Sequence, residues 1–254
     1  MLSKEELERY SRQIMLFGEE GQERLKDARV FIAGAGGLGC PIALYLAAAG
    51  VGHLRIADRD CVELTNLNRQ ILHWEADIGR EKVLSVEAKI RAVNPHIGIE
   101  TFHVTIDESN VMELIGDADL IVDAMDNYPV RYLLNQVAHE KNIPLIHGAI
   151  RGFDGQAMTI IPGKSACFNC VFPSPPPSEV FPVVGVTPGI IAMIQANEVI
   201  KYLLGIGELL MNRLLIWNGL CSEMEYMKVS ARHDCKVCGK SVTSQECSHD
   251  KNHT

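Results

Sequence analysis

The 254-residue sequence has little of three things: aromatic residues, which make up 6% of the chain, positive charge, and long apolar runs. Lys and Arg number 24 against 32 Asp and Glu, so the formal net charge is −8 and no overall positive field is available to hold a nucleic-acid backbone. The longest apolar stretches, such as 30–34, fall well short of the roughly 20 residues that a membrane helix needs. These absences argue against a dedicated nucleic-acid-binding protein and against a membrane protein.

The charged start of the chain, MLSKEELERYSRQ, has no apolar core followed by a cleavage site, so we expect no signal peptide. Hydrophobic residues make up 47% and charged residues 22%, which is typical of globular proteins. At 254 residues, one large α/β domain, or a domain with an appendage, can bury a core. We therefore expect a globular, cytoplasmic protein.

Eight cysteines stand out in this composition, because a reducing compartment disfavours disulfides. Four of them form two CxxC pairs, Cys167 with Cys170 and Cys235 with Cys238. Four thiolates in two such knuckles are the ligand set of a closed, tetrahedral structural zinc site. We predict Zn²⁺ on these four residues, in preference to a redox CxxC pair or free thiols.

Three further cysteines, Cys40, Cys61 and Cys221, are expected to be small core residues. Cys247 lies in a polar C-terminal stretch without periodicity, which we expect to be solvated and disordered.

The part of the chain before residue 150 alternates between strand and helix patterns. After an amphipathic helix over 3–17 and a short helix near 21–27, five apolar strands are separated by helical stretches. The predicted strands are 29–33, 53–57, 98–102, 120–123 and 144–149, and the predicted helices are 41–49, 80–93, 109–116 and 129–142. This alternation is typical of βαβ units and predicts an α/β fold with a Rossmann-like, mostly parallel sheet flanked by helices.

After residue 150 the pattern changes to strands that do not lead into helices. Strands are predicted over 155–162, 213–217 and 222–229, with a helix over 188–204, so we expect C-terminal antiparallel strands carrying the Cys₄ site. The chain then divides into N-terminal helices, a Rossmann-like region, a C-terminal sheet region and a disordered tail, with the boundaries 1–27, 28–150, 151–240 and 241–254.

A glycine-rich turn, GlyAlaGlyGlyLeuGly at 34–39, fits the pattern G-x-G-x-x-G directly after a strand and before a helix. Such a turn lets the backbone approach a phosphate, and the helix N-terminus offers free N–H groups and a partial positive charge. Asp58 ends the second strand and can hold ribose hydroxyls. The turn therefore predicts a nucleotide site, and the motif by itself favours a dinucleotide.

The residues after Asp58 favour a nucleoside triphosphate as the ligand instead of a dinucleotide. Asn66, Asn68, Arg69 and Gln70 can bind phosphate or amide groups, and a lysine, Lys82, begins the next helical stretch. An arginine fork and a lysine point charge near one nucleotide suit a triphosphate and its transition state better than a nicotinamide.

Two carboxylates follow the fourth strand, at the sheet edge where open α/β sheets bind ligands. Asp123 and Asp126 lie there, and a carboxylate in this place would hold Mg²⁺ against phosphates. For Asp126 the alternative is an N-cap of the following helix.

Taken together, these motifs resemble the MoeB/ThiF/HesA family, the bacterial and archaeal relatives of ubiquitin-activating enzymes. The resemblance covers about residues 5–239. The stretches that carry it are ArgTyrSerArgGlnIle at 9–14, GlyAlaGlyGlyLeuGlyCysPro at 34–41, 58–60, AsnLeuAsnArgGln at 66–70, 79–82, 94–96, AspAlaMetAspAsn at 123–127 and both CxxC pairs.

The resemblance implies an adenylyltransferase. The family adenylylates the C-terminal glycine carboxylate of a small β-grasp, ubiquitin-like sulfur-carrier protein ending in Gly-Gly, using ATP and Mg²⁺ and releasing pyrophosphate, in molybdopterin or thiamine biosynthesis or a related sulfur transfer. Positions that match the family's ATP-binding residues are Gly36, Gly37, Asp58, Thr65, Asn66, Leu67, Asn68, Arg69, Lys82, Asp126 and Asn127.

The resemblance also implies roles for particular side chains. Arg69 and Lys82 would act on the phosphates, Asp126 would be the Mg²⁺ carboxylate, and Arg12 would reach the phosphates of the other subunit of a homodimer. The region 151–240 would bind the carrier.

The family's crossover loop after the first CxxC pair carries a thiol in some members. Here the loop, 172–185, is shorter and has no cysteine, which favours adenylylation without thioester or acyl-disulfide chemistry. The alternatives are an enzyme similar to the dehydratases that adenylylate a tRNA nucleoside, an NAD-dependent oxidoreductase, and a scaffold that only binds.

Overall fold

The structure is a computed structural model that describes residues 1–176 and 182–239. Part of the crossover loop and the predicted disordered tail, including Cys247, therefore lie outside the described residues.

Within these residues, eight strands form one sheet in the order β3-β2-β1-β4-β5-β6-β7-β8. The first five strands pair in parallel, and the last three continue the sheet in antiparallel pairs. Their bounds are β1 Arg29–Ala33, β2 His53–Ala57, β3 Gly98–Phe102, β4 Leu120–Asp123, β5 Leu145–Arg151, β6 Asp154–Ile160, β7 Arg213–Asn218 and β8 Glu223–Lys228. The predicted fold class is confirmed.

Helices cover both faces of the sheet. Their bounds are α1 Lys4–Arg9, α2 Ser11–Asp27, α3 Gly39–Ala49, α4 Lys82–Val93, α5 Val111–Ile115, α6 Tyr128–Lys141, α7 Phe168–Val171 and α8 Val186–Leu204, with 3₁₀ turns at Leu64–Asn66 and Glu75–Asp77. None of the helices in the described ranges combines the length and the apolarity that crossing a membrane requires.

The alternation of side chains along β1 shows how the core is divided. Val30 and Ile32 pack into the cluster that includes side chains of α3, α4 and α8, whereas Phe31 and Ala33 pack into the cluster that includes α5, α6 and α7. All four side chains are fully buried. A strand buried on both faces reads as a continuous apolar run, which is why these parallel strands are recognisable in the sequence.

The predicted helix over 3–17 is wrong in its continuity. α1 ends at Arg9, and α2 contains a non-helical residue, Gly18, at φ 72°. The break between the helices lies at Tyr10, which is buried and whose hydroxyl accepts a hydrogen bond of 2.7 Å from Asn94 Nδ2. The contact between Tyr10 and Asn94, which is 84 positions away in the sequence, therefore sets where the predicted helix is interrupted. The short helix α7 was not predicted either.

Candidate nucleotide site and cysteine cluster

A cavity of about 550 Å³ opens at the carboxyl ends of β1, β2 and β4. The strand order reverses between β1 and β4, which is where open α/β sheets bind ligands. Seven of the predicted ATP-site residues line it: Gly36, Gly37, Asp58, Arg69, Lys82, Asp126 and Asn127.

The glycine turn needs glycine at two positions for steric reasons. Gly34 has φ 102°, and a Cβ on it would lie 2.7 Å from the carbonyl oxygen of Ala124. A Cβ on Gly39 would lie 1.9 Å from the carbonyl oxygen of Gly34. The turn can therefore pass close to β4 and begin α3 only without side chains at these positions.

Asp58 both lines the cavity and anchors the turn. Its Oδ2 accepts a hydrogen bond of 2.7 Å from the backbone N–H of Ala35, and its Oδ1 accepts one of 2.8 Å from the N–H of Asp60. One lone pair on each oxygen remains for a further donor, such as a ribose hydroxyl.

The two predicted cations differ in their surroundings. Lys82 is the first residue of α4 and is only 5% exposed, and its Nζ donates a hydrogen bond of 2.8 Å to Asp60 Oδ2. The Asp60 side chain is 53% exposed, so its negative charge is largely solvated. Arg69 is half-buried and donates through Nη1 to the Thr65 carbonyl oxygen at 2.9 Å and to Asn68 Oδ1 at 3.0 Å.

The structure places five predicted residues outside the lining of this cavity, as formed by the described residues: Arg12, Thr65, Asn66, Leu67 and Asn68. Asn66 is buried, and its Oδ1 accepts from the Glu63 N–H at 3.1 Å, which shapes the 3₁₀ turn. Arg12 is exposed on α2.

Asp126 is exposed at the cavity, and among the described residues its side chain accepts a single hydrogen bond, a long one of 3.4 Å from Asn127 Nδ2. Asn127, not Asp126, caps α6, accepting from the Val130 N–H at 3.1 Å. The Asp126 carboxylate is thus available to a cation, and its chemistry, a hard oxygen donor, fits Mg²⁺.

Asp123 lies beneath the cavity and not in it. It is fully buried, its Oδ2 lies 2.7 Å from His147 Nδ1, and its Oδ1 accepts from the Met125 N–H at 3.0 Å. Burial lowers the pKa of His147, although the adjacent Asp123 carboxylate raises it. Asp123 and His147 therefore support the turn that carries Asp126.

Two side chains of the cavity were missed as site residues by the sequence motifs. Arg131, in α6, is 6% exposed and donates through Nη2 to the carbonyl oxygens of Met125 and Gly148. Asp60 was recognised only as part of a matching stretch, without a role. Arg131 has no sequence signal, because only the packing of α6 against the turn after β4 brings it to the cavity.

The four cysteines of the CxxC pairs meet in space. All four sulfur atoms lie within 4.8 Å of one another, with Sγ–Sγ distances of 3.4 Å for Cys167 and Cys235 and 3.3 Å for Cys170 and Cys238. A tetrahedron with Zn–S bonds of about 2.3 Å has sulfur atoms roughly 3.8 Å apart. The cluster therefore fits Zn²⁺ and leaves no open ligand position.

The two thiols of the second knuckle differ in acidity, because burial and hydrogen bonds with the thiols of the first knuckle raise the pKa of Cys238. Burial raises the pKa of Cys235, but backbone hydrogen bonds from Cys238 and Val237 outweigh it and lower that pKa to about 7. Zinc binds the deprotonated thiol, so the lowered pKa makes Cys235 the more readily ionised ligand of this knuckle.

The prediction that Cys40, Cys61 and Cys221 are core residues is confirmed for Cys40. Cys40 is fully buried, and burial raises the pKa of its thiol to about 12, so it is an inert core residue. Cys61 and Cys221 are exposed, so the prediction that they are core residues is wrong. Both follow strand ends, where the chain turns out to solvent.

Comparison with known proteins gives three findings. The ThiF family model matches residues 10–237. The SAMP-activating enzyme E1 of Haloferax volcanii is 44% identical over 243 residues, which are 92% of this chain and 90% of that protein. The sulfur carrier protein adenylyltransferase of Thermus thermophilus is 41% identical over 257 residues, 96% of this chain and 95% of that protein.

Among solved structures, a crystal structure of E. coli MccB superimposes with a TM-score of 0.84 at 24% identity, covering 94% of this chain and 75% of that one. This similarity concerns the fold.

Proposed function

Because the chain belongs to the ThiF family and is an adenylyltransferase, we propose that it transfers AMP from ATP to the C-terminal glycine carboxylate of a small ubiquitin-like sulfur-carrier protein. The observation that carries this proposal is the meeting of the glycine turn, Arg69, Lys82 and Asp126 around one cavity of about 550 Å³. The names of the two relatives, one acting on SAMP and one on a sulfur carrier protein, support the substrate class.

In this proposal the C-terminal carboxylate of the carrier is the nucleophile. An α-carboxyl group has a pKa of about 3.5, so it is ionised near neutral pH and needs no general base. One of its oxygens attacks the α-phosphorus of ATP, the bond from that phosphorus to the bridging oxygen breaks, and pyrophosphate leaves with the electron pair.

The protein's contribution is positioning and neutralisation of charge. N–H groups of the glycine turn and Arg69 would bind the phosphates, and Lys82 would stabilise the negative charge that develops as pyrophosphate leaves. Mg²⁺, which Asp126 would hold, neutralises phosphate oxygens when bound. Asp58 would bind the ribose.

The carrier needs a surface from which its C-terminus can reach this cavity, and we assign that surface to the antiparallel end of the sheet, where β8 lies four strands from β4. Along β8 every residue is exposed, including the large apolar side chains Met224, Tyr226 and Met227. An exposed apolar strand at the edge of a sheet is a typical site of protein association. This role corresponds to the predicted carrier-binding region 151–240.

The direct test is ATP–pyrophosphate exchange with purified candidate carriers that end in Gly-Gly. We expect exchange with one carrier and none with the matched control, the same carrier without its final glycine, because the nucleophile is then displaced from the α-phosphorus. Exchange with a molybdopterin or a thiamine carrier assigns the pathway. Exchange that needs a tRNA and no carrier contradicts the proposal.

A homodimer is part of the proposal, because Arg12 does not line the cavity of its own chain in the described ranges. Arg12 is exposed, and beside it on α2 the apolar side chains of Met15 and Leu16 are 78% and 85% exposed. A second copy packed on this helix would cover them and receive Arg12 at its cavity.

Mixing two inactive variants tests the exchange of Arg12 between subunits. Arg12→Ala alone should lower exchange about a hundredfold, because one stabiliser of transition-state charge is lost. When Arg12→Ala and Lys82→Ala chains are refolded together, half of the dimers are mixed and each contains one intact site, so activity should recover to about a quarter of wild type. No recovery, with mixed dimers shown by mass spectrometry, would mean that Arg12 acts within its own chain.

A further inference from the structure

A row of buried polar side chains lies behind the glycine turn, and its last member forms a hydrogen bond with the backbone of the turn. His73 is 3% exposed, and its Nε2 lies 2.9 Å from the carbonyl oxygen of Ala35. A carbonyl oxygen only accepts hydrogen bonds, so Nε2 carries the proton and Nδ1 is the acceptor. The hydroxyl of Ser85, 2.9 Å from Nδ1, supplies the hydrogen that this tautomer needs.

The direction of the Ser85 hydroxyl is set by the next residue in the row. Lys89 Nζ donates to Ser85 Oγ at 2.9 Å and also to a carboxylate oxygen of Asp77. An ammonium group only donates, so Ser85 Oγ accepts from Lys89 and keeps its own hydrogen for another acceptor. The Asp77 carboxylate is also within reach of this hydroxyl, but His73 Nδ1 carries no proton, so its contact of 2.9 Å with Ser85 Oγ requires the hydrogen to point to His73. The bonds from Lys89 to Ser85, from Ser85 to His73 and from His73 to Ala35 therefore all donate toward the glycine turn, and the bond from Lys89 to Asp77 anchors the far end of the row.

All members of the row are shielded from water. Ser85 is fully buried, Lys89 is 8% exposed and Asp77 is 6% exposed. A buried ion pair contributes little net stability, because desolvating both charges costs about as much as their attraction returns. What the pair does contribute is a unique orientation of the groups bonded to it.

The charge state of His73 agrees with this arrangement. Burial lowers its pKa, and the nearby cations Lys82 and Lys89 lower it further, although the Ala35 carbonyl oxygen and Asp77 act in the opposite direction. The ring is therefore neutral near pH 7, as an acceptor at Nδ1 requires.

The peptide groups on either side of Ala35 are thus held from both ends. Asp58 accepts from its N–H at 2.7 Å, and His73 donates to its carbonyl oxygen. The next two residues, Gly36 and Gly37, line the cavity. Glycine has no side chain to restrict its backbone, so an external clamp is needed to keep these N–H groups directed at a ligand.

We propose that His73 is a positioning residue for the nucleotide: with its tautomer set by Ser85, Lys89 and Asp77, it fixes the glycine turn in the conformation that binds phosphate. This inference rests on the proposed function, in which ATP occupies the cavity. His73 touches the turn and not the ligand, so it acts on ATP affinity and not on the chemical step.

Two substitutions at one position separate the hydrogen bond from simple packing. In His73→Gln the amide nitrogen is three bonds from Cβ, as Nε2 is in histidine, so it can still donate to Ala35. In His73→Asn the amide is one bond shorter and cannot reach. Loss of one hydrogen bond of this kind corresponds to about a tenfold change in binding.

The measurements are the Kd of ATP by calorimetry and the steady-state constants of exchange. For His73→Asn we expect Kd and KM for ATP to rise about tenfold, with kcat and KM for the carrier within about twofold of wild type. His73→Gln should restore ATP binding to within about threefold. Ser85→Ala, which removes the hydroxyl without adding volume, should weaken ATP binding and lower the Nε2–H population of His73 in the ¹⁵N imidazole spectrum, because only the Ala35 carbonyl oxygen then favours that tautomer.

Equal ATP affinity in wild type and His73→Asn would overturn the inference, as would equal losses in the Asn and Gln variants. Absence of ATP binding in the wild-type protein would instead overturn the proposed function, and the inference with it. The tautomer of His73 is measured in the imidazole spectrum of the ATP-free protein. An Nδ1–H form of His73 would therefore overturn this inference and leave the proposed function unaffected.

Discussion

Replacing Lys82 with alanine is expected to lower carrier-dependent ATP–pyrophosphate exchange by about a thousandfold, the effect of removing one well-placed stabiliser of developing charge. Lys82 is 5% exposed and lines the cavity, so little water shields its charge from a ligand there. Its carboxylate partner, Asp60, is half-exposed, so phosphates can compete with it for the ammonium group.

The same substitution should leave the fold intact. Lys82 is the first residue of α4, and Asp60 can be solvated once its partner is removed, so no charge is left buried. We expect the unfolding midpoint to stay within about 3 °C of wild type. Circular dichroism melting and exchange assays on the same preparation check both parts.

Arg91→Ala is the matched control for Lys82→Ala. Arg91 is a cation in the same helix, but it is exposed, pairs with Glu87 and does not line the cavity. Its loss should change exchange by less than about twofold, since an exposed ion pair on a helix contributes little. If Lys82→Ala retained exchange close to wild type, its assignment to the phosphates would have to be abandoned.

Removing the metal from the cysteine cluster is expected to have the largest effect on stability. The cluster joins α7, which follows β6, to the segment after β8, so a bound metal would close a loop of more than 60 residues in the chain. We expect wild-type protein prepared without chelator to contain about one Zn²⁺ per chain, and its loss to cost about 4 kcal/mol, or roughly 10 °C in the unfolding midpoint.

The packing around α7 explains why the effect should spread beyond the metal ligands. Phe168 follows the ligand Cys167 directly, is fully buried, and packs edge-on against His147 with the ring centroids 4.9 Å apart. His147 in turn bonds to Asp123 under the nucleotide cavity. Loosening α7 therefore removes support from the aromatic cluster and, through His147, from the turn that carries Asp126.

The zinc prediction is checked by metal analysis and by thermal melts with and without a strong chelator. Cys235→Ser should reproduce the effect of the chelator. Cys221→Ser, at an exposed cysteine outside the cluster, is the matched control and should change the midpoint by less than about 2 °C. Metal-free protein with an unchanged midpoint would refute the structural role.

Most of the fold was predictable from the sequence, because strands and helices depend on local periodicity. The predicted strands over 29–33, 53–57, 98–102 and 120–123 coincide with β1 to β4. The N-terminal helix was less predictable, because the burial of Tyr10 against Asn94, a residue 84 positions away, interrupts it. α7 was missed because four residues are too few to show a helical period.

The candidate site was likewise predictable from the sequence only in part. The sequence predicted that the glycine turn and Asp126 meet, because both follow strand ends at one edge of the sheet. The two CxxC pairs predicted the separate cysteine cluster by residue type and spacing. The sequence did not separate Asp126, which is exposed at the cavity, from Asp123, which is buried under it. Two carboxylates three positions apart look alike in a sequence, and their surroundings differ only after packing.

By itself, then, the sequence determined the α/β class, the family, the cations that we propose to bind phosphate and the four thiols of the cluster, since each depends on residue type and on spacing along the chain. The tertiary structure alone decided which side chains face the cavity, that Lys82 pairs with Asp60, and that His73 ends on the glycine turn. The physical reason is that the direction, burial and partners of a side chain are set by contacts with residues far away in sequence, which no local pattern records.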